Sequence, residues 1–178
     1  MEGISKNRIK HIRSLQQKKF RQLDGEFIVE GTKLVQELLA SEFTVKQVIY
    51  CDDALAEIHS AAIKISSKEM EQCSALKSPP GILAVVKTPE NQPISLGNIN
   101  VILDDIKDPG NLGTIIRSAA WFGVDRLILT SGCVDAYNPK VVQSTMGGLF
   151  HIPISRATKA EILEATKDWN GSLLIADM

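Results

Sequence analysis

Arg117 stands inside an otherwise apolar helical stretch, with Asn111 six residues before it and Asp104, Asp105 and Asp108 just upstream. A guanidinium stays protonated in nearly any protein setting and presents a planar fork of donors, so near a reaction it holds a phosphate or a developing oxyanion; it makes a poor base. The three aspartates are close enough to suggest a magnesium site or a carboxylate acid/base pair. Strand-end solvation, pairing with a helix dipole and a salt bridge to Arg117 account for them with fewer assumptions.

The surrounding residues say how Arg117 is to be held. Val101, Ile102 and Leu103 form the short apolar run of a strand covered on both faces, and Asp108, Pro109 and Gly110 punctuate it as a turn. Asn111 then stands where a helix N-cap is expected, and Ile115, Ile116, Ala119, Ala120 and Phe122 continue at helical period. Gly113 precedes Arg117 by four positions and so shares its face. Helical side chains lean toward the N-terminus, which predicts that Arg117 lies back over Gly113 and delivers its charge to the Asn111 turn. The carboxyl end of a parallel strand beside a helix start is where α/β sheets bind ligands, anions above all.

The strand, the Asn111 turn, Gly113 and the run Arg117-Ser118-Ala119 resemble the first motif of the SpoU family of RNA 2′-O-ribose methyltransferases, in the SPOUT superfamily of knotted enzymes. Residues 134–153 are similar to the family's next block, and residues 27–37 and 78–85 to the substrate-binding domain that often precedes it. The resemblance implies an α/β chain: a small ribosomal-protein-like RNA-binding domain, then a SPOUT (α/β knot) domain with a parallel sheet. It implies a catalytic Arg117 placed with the help of Asn111, S-adenosylmethionine as methyl donor, rRNA or tRNA as substrate, a homodimer, and no metal. The family's last two motifs, a glycine loop with Glu and a Ser/Asn helix, have no counterpart before Met178. The chain therefore reads as truncated before the knot, with no residue assigned to the methyl donor, and the alternative is a non-catalytic RNA-binding protein. A phosphate or nucleotide enzyme ranks last, since neither Gly-x-Gly-x-x-Gly nor a Walker pattern occurs.

Composition bounds the answer without choosing it. With 44% hydrophobic and 23% charged residues the chain is ordinary for a globular protein, and no apolar run approaches the length of a membrane span. The start lacks the apolar core of a secretion signal, so a cytoplasmic setting is expected. Cys51, Cys73 and Cys133 are too widely spaced for a zinc site and odd in number for a disulfide framework, and His11, His59 and His151 are equally scattered. The net charge of −1 argues against nucleic acid, but its distribution does not. Arg8, Lys10, Arg13, Lys18, Lys19 and Arg21 occur near the amino terminus with no acidic residue among them, beside an interrupted apolar face of Ile4, Ile12, Leu15, Phe20 and Leu23. Such a segment is either a phosphate-binding arm or a solvated amphipathic helix; the family resemblance favours RNA. Lys140 and Ser144 are further candidates for its backbone. Trp121 and Phe122 are read as core or subunit-interface residues, not as base-stacking ones.

Periodicity divides the chain into residues 1–87, a polar linker at 88–98 holding Pro89 and Pro93, and residues 99–178. In the first part strands are expected at 26–29, 45–50 and 81–86, with helices at 32–40, from Asp52 or Asp53 to Ala62, and from a Ser66/Glu69 capping box to Cys73. In the second, strands are expected at 101–104, 126–129 and 173–176, separated by the Asn111 helix and a helix at 160–169 capped by Thr158 with Glu161.

Overall fold

The computed structural model describes residues 3–176. Its amino-terminal unit begins with two short helices, α1 (Lys6–Ser14) and α2 (Lys18–Asp24), where the sequence suggested one arm. The strands β1 (Glu26–Glu30), β2 (Val45–Tyr50), β3 (Ile63–Lys64) and β4 (Ile82–Lys87) form one sheet in the order β1-β4-β2-β3. β4 runs antiparallel to both neighbours, and β3 is parallel to β2. The helices α3 (Thr32–Leu39) and α4 (Ser67–Cys73) cover the two faces, α4 starting at the expected Ser66/Glu69 capping box. The helix expected from Asp52 to Ala62 is instead a 3₁₀ segment, Asp53–Ile58, followed by β3. None of its residues is buried. Only Leu55 and Ile58 are partly buried against the core, too little apolar contact to hold a full α-helix there.

The run from Ile82 to Val86 is buried throughout because its side chains alternate between two cores. Ile82, Ala84 and Val86 join Phe27, Val29, Val35 and Leu38 on the α3 side, while Leu83 and Val85 join Ile12, Ile28, Met70 and Cys73 on the side of α1 and α4. At about 1.5–3 kcal/mol for each large side chain removed from water, this strand alone accounts for a substantial share of the unit's driving force.

One acid lies inside this unit. Glu30 is 2% exposed, and its carboxylate accepts hydrogen bonds from the Ser74 hydroxyl and the Ala75 N–H (2.9 Å). Burial pushes its pKa up, and the two hydrogen bonds only partly oppose that. Between its unfolded and its raised folded value the folded chain binds more protons than the unfolded one, so stability from this group is present at low pH and lost as pH rises through that window. Glu30→Gln keeps an acceptor for Ala75 and offers Ser74 a donor. In thermal melts from about pH 4 to pH 8, the variant is expected to gain on the parent as pH rises. A melting difference that does not change with pH would show that Glu30 is already ionised at no cost.

The second unit is a parallel sheet of β5 (Asn100–Leu103), β6 (Arg126–Thr130) and β7 (Ile154–Ala157), in that order. Between the strands lie α5 (Pro109–Trp121), α6 (Pro139–Ser144) and a 3₁₀ turn, Gly148–Phe150; α7 (Lys159–Thr166) follows β7 and carries the expected Thr158/Glu161 capping box. The third strand is thus β7, which sequence periodicity missed, and not residues 173–176. Leu173, Leu174 and Ile175 are exposed, Leu174 to 91%, and form no strand, since a strand exists only where its backbone finds a ladder. Asp177 and Met178, which follow that run, lie outside the described residues.

Residues 88–98, read from the sequence as a linker, form no helix or strand. The units it joins nevertheless share one core, in which Phe27, Val35 and Leu38 meet Leu112, Ile116, Leu129, Val142 and Phe150. Phe27 packs against Tyr137 at 4.8 Å between ring centroids, and Phe43 against Phe150 at 5.3 Å. Among the described residues no helix is long and apolar enough to cross a membrane.

Candidate functional site

The three parallel strands deliver their carboxyl ends to one edge, and the polar residues there are already paired. Lys159 Nζ lies 2.7 Å from Asp104 Oδ2, and Lys107 Nζ lies 2.6 Å from Asp105 Oδ1 while donating to the Gly132 carbonyl at 2.8 Å. Hydrogen bonds from Lys159 and Thr130 hold the Asp104 carboxyl below its usual value. Asp105 takes a positive φ of 60° and its N–H donates to Thr130 Oγ1. Its carboxylate comes so close to Gly132 that a Cβ there would collide with it. Two carboxylates each neutralised by a lysine make neither a proton-sharing pair nor a cation site, and the described residues hold no cluster of metal-ligating side chains. The ion pairs expected of these aspartates exist, but with lysines in place of Arg117.

The helix bearing Arg117 starts one turn earlier than expected. Asp108 is the N-cap, accepting from the Asn111 N–H at 2.8 Å, and Pro109 opens the helix. Both Asp and Asn cap well; proline's preference for the first helical position decides between them. Asn111 is therefore an exposed residue of the first turn and not the cap.

Gly113 does not serve as a seat for Arg117. It is buried against α6: a Cβ there would run into Ser144 and come within 2.9 Å of the Val141 carbonyl oxygen. Gly148 makes a second close approach, since its Cβ would lie 3.0 Å from the Arg117 Cα. These two contacts press the second block of the sequence against the α5 backbone and turn Arg117 outward. Thr114, Arg117, Ser118 and Trp121, at helical spacing, line a shallow groove with Phe122. Among the described residues Arg117 has no ion pair or side-chain hydrogen-bond partner, so its charge faces solvent. Trp121 and Phe122, 86% and 77% exposed, are not core residues.

The other candidates separate by burial. Lys10, Arg13, Lys18 and Lys19 are exposed, and Arg8 is half-buried with its Nε donating to Gln47 at 2.5 Å. Arg21 goes the other way: it is 4% exposed, with its fork on Asp135 Oδ2 (2.9 and 2.7 Å) and its Nη1 on the carbonyls of Leu15 and Gln16. Four of its five N–H donors are spent inside the protein and the group is buried, so it does not present a phosphate-binding fork. Lys140 is exposed at the start of α6, whereas the Ser144 hydroxyl donates to the Lys140 carbonyl at 2.8 Å and its Cβ fills the notch of Gly113. Sequence reasoning passed over Arg156, whose guanidinium donates to the carbonyls of Ser131, Cys133 and Val134 and pins the loop after β6. Nothing local marks it, because all its acceptors are backbone atoms of a loop more than 20 residues away.

A parallel α/β sheet with an arginine-bearing helix after its first strand, fused to a mixed-sheet unit with a basic helix, defines a two-unit α/β protein. Comparison with known proteins makes the class specific. Residues 6–84 match the MRM3-like substrate binding domain and residues 98–177 the SpoU rRNA Methylase family. The 23S rRNA (guanosine(2553)-2′-O)-methyltransferase RlmP of Bacillus subtilis is 30% identical over 171 residues, covering 94% of this chain and 68% of that protein. Mitochondrial rRNA methyltransferase 3 of Xenopus tropicalis is 29% identical over 177 residues, 90% of this chain but 42% of its own length. An RNA methyltransferase structure assigned to the TrmH family, from Porphyromonas gingivalis, superposes with a TM-score of 0.86 at 30% identity over 93% of this chain and 68% of that one. The AdoMet-bound rRNA methyltransferase of Sinorhizobium meliloti gives 0.83 at 29% identity, over 94% and 68%. The chain belongs to the SpoU rRNA methylase family. It spans about two-fifths of the Xenopus relative and about two-thirds of the bacterial ones.

Proposed function

We propose that the protein transfers a methyl group from S-adenosylmethionine to a ribose 2′-hydroxyl of rRNA or tRNA, with Arg117 as the catalytic residue. The observation that carries this reading, once the family is given, is an arginine held outward by two glycine contacts with no partner for its charge among the described residues. An arginine left unpaired on a rigid helix is placed to meet an anion that arrives with the substrate. In-line attack by the hydroxyl oxygen requires its proton to leave and its growing charge to be stabilised. Arg117 does the second, through the phosphate or the alkoxide itself. Asn111, at the exposed start of α5, and Lys140, at the exposed start of α6, are assigned to the RNA on either side. Ser144 acts through its packing.

S-adenosylmethionine supplies the methyl group when bound. The groove beside Arg117 does not fit it: five side chains of one helix and its end line an open surface, with no enclosing wall of backbone donors and acceptors for a nucleoside. None of the described residues is therefore assigned to the donor. A homodimer belongs to the same reading, with exposed Trp121 and Phe122 as the apolar surface a second copy would cover. So does a cytoplasmic setting shared with the RNA.

The basic helices supply the affinity. Lys6, Lys10 and Arg13 follow one exposed stripe of α1 beside buried Ile9 and Ile12, and Lys18 and Lys19 open α2. Neither helix has an acidic residue in its first turn. Lysines at helix starts oppose the macrodipole, a local cost that makes sense where a positive surface is needed. Replacing Lys6, Lys10, Arg13 and Lys18 together by glutamine is expected to weaken rRNA binding and to flatten its log–log salt dependence by about 0.7–0.9 for each phosphate that is no longer neutralised. Titrations at several salt concentrations with parent-like affinity and slope would reduce the stripe to a solvated face and leave the RNA reading without its arm.

A further inference from the structure

We infer that the buried ion pair Arg21–Asp135 is the joint that registers the RNA-binding unit against the helix carrying Arg117, which makes Arg21 a positioning residue and not an RNA contact. The inference rests on the methyl-transfer reading above and adds what determines which ribose reaches Arg117.

The geometry of the joint is specific. The two residues are 114 positions apart, Arg21 in α2 and Asp135 in the segment leading to α6. Their side chains are 3% and 17% exposed, with Nη2 and Oδ2 2.7 Å apart. Arg21 Nη1 also donates to the Leu15 and Gln16 carbonyls, both at 2.9 Å, and so ties down the turn between α1 and α2. The Gln16 side chain reaches onward to the Cys73 and Ser74 carbonyls. On the other side Asp135 Oδ1 accepts from the Tyr137 N–H at 3.0 Å, fixing the entry to α6, and α6 seats Ser144 against Gly113 of α5. Hydrogen bonds and one backbone contact thus run without a gap from the basic helices to the helix of the proposed catalytic arginine.

Apolar contacts between the units hold them together, but they are tolerant of small slides and rotations. An arginine whose Nε and Nη2 converge on one carboxylate oxygen while its Nη1 holds two carbonyls is not, because the planar fork meets all three acceptors in one orientation only. Methyl transfer in line depends on placement at this level, where a displacement of about 1 Å costs on the order of a hundredfold.

The test uses Arg21→Gln, Arg21→Lys and Asp135→Asn in the whole chain, with rRNA binding, single-turnover methylation and amide hydrogen exchange as readouts. If the pair is a joint, RNA affinity and its salt slope stay within about twofold of the parent for all three. The methylation rate at saturating RNA falls tenfold or more, or methylation spreads to neighbouring riboses. Arg21→Lys is expected to recover little, since one ammonium cannot replace the fork, and Arg21→Gln with Asp135→Asn together is expected to be no worse than either alone. Hydrogen exchange is expected to quicken at residues 15–16 and 135–145 while the strands of both sheets stay protected. A loss of RNA affinity with a flatter salt slope in Arg21→Gln, but not in Asp135→Asn, would make Arg21 a phosphate contact and overturn the inference. Exchange that quickens throughout the chain would make the pair merely stabilising, as would variants with parent rates. Should the parent itself methylate no RNA, the proposed function fails, and the exchange pattern still decides whether the pair is a joint.

Discussion

Arg117→Lys is expected to lower methyl transfer about a hundredfold, which is about 2.7 kcal/mol of transition-state stabilisation, while leaving the melting temperature almost unchanged. The two halves of this prediction come from the same feature. Arg117 faces the groove of Thr114, Ser118, Trp121 and Phe122 without an ion pair or side-chain hydrogen bond among the described residues, so folding gains almost nothing from its guanidinium. Surface substitutions of that kind stay within about 0.5 kcal/mol, and lysine and arginine are nearly equal helix formers. The transition state differs, because a spread negative charge on phosphate or alkoxide is matched by a planar fork and poorly by a point charge on a flexible stem. Single-turnover methylation at saturating RNA, beside thermal melts of both proteins, tests the claim. A lysine variant with near-parent turnover would remove Arg117 from the mechanism, and one that melts much lower would show a structural role.

What sequence alone revealed was whatever local rules control. The Ser66/Glu69 and Thr158/Glu161 boxes were visible because a cap and its partner lie three residues apart, and the unbroken apolar run of β4 announced a strand. The Asp108 cap was missed, because Asp108, Pro109 and Gly110 read as a turn and Asn111 as the cap. β7 was hidden because Ser155 and Arg156 interrupt its apolar pattern. Ser155 is fully buried only because Arg126 Nη1 donates to its hydroxyl at 2.7 Å, and Arg156 spends its charge on loop carbonyls. Residues 173–176 misled in the opposite sense, being apolar enough for a strand whose ladder is not formed. The candidate site was half legible: Arg117 and its helix from their pattern, the outward turn of its side chain not at all, since that depends on Gly113 and Gly148 meeting residues from α6 and from Arg117 itself. Arg21 was misread because charge is read as solvent-facing until its partner is known, and that partner is 114 residues away.

Gly113→Ala is expected to destabilise the protein by about 1–3 kcal/mol, even though alanine is the better helix former by about 1 kcal/mol. The sign is decided by what the new methyl group meets. Ser144 Cβ, the Val141 carbonyl oxygen at 2.9 Å and the Ser144 carbonyl carbon at 3.1 Å are backbone or backbone-adjacent atoms of α6, none of them the movable end of a long side chain. Relief requires α6 to move off α5, which opens the core around Leu112, Ile116, Val141 and Val142. Interiors at crystal-like density do not yield that space without opening gaps elsewhere. Gly113→Val, with two further methyl groups, is expected to lose more than about 3 kcal/mol. Urea denaturation of Gly113→Ala, Ser144→Gly and the double variant separates the terms. Ser144→Gly removes the Cβ in the way but leaves the Val141 carbonyl, so it is expected to restore part of the loss and to show coupling of about 0.5–3 kcal/mol. Because α6 leads through residues 145–147 to Gly148, which lies under the Arg117 backbone, the alanine variant is also expected to methylate more slowly than its stability explains. A Gly113→Ala protein as stable as the parent would mean that α5 and α6 are not in backbone contact, and with that the account of how Arg117 is held outward would fail.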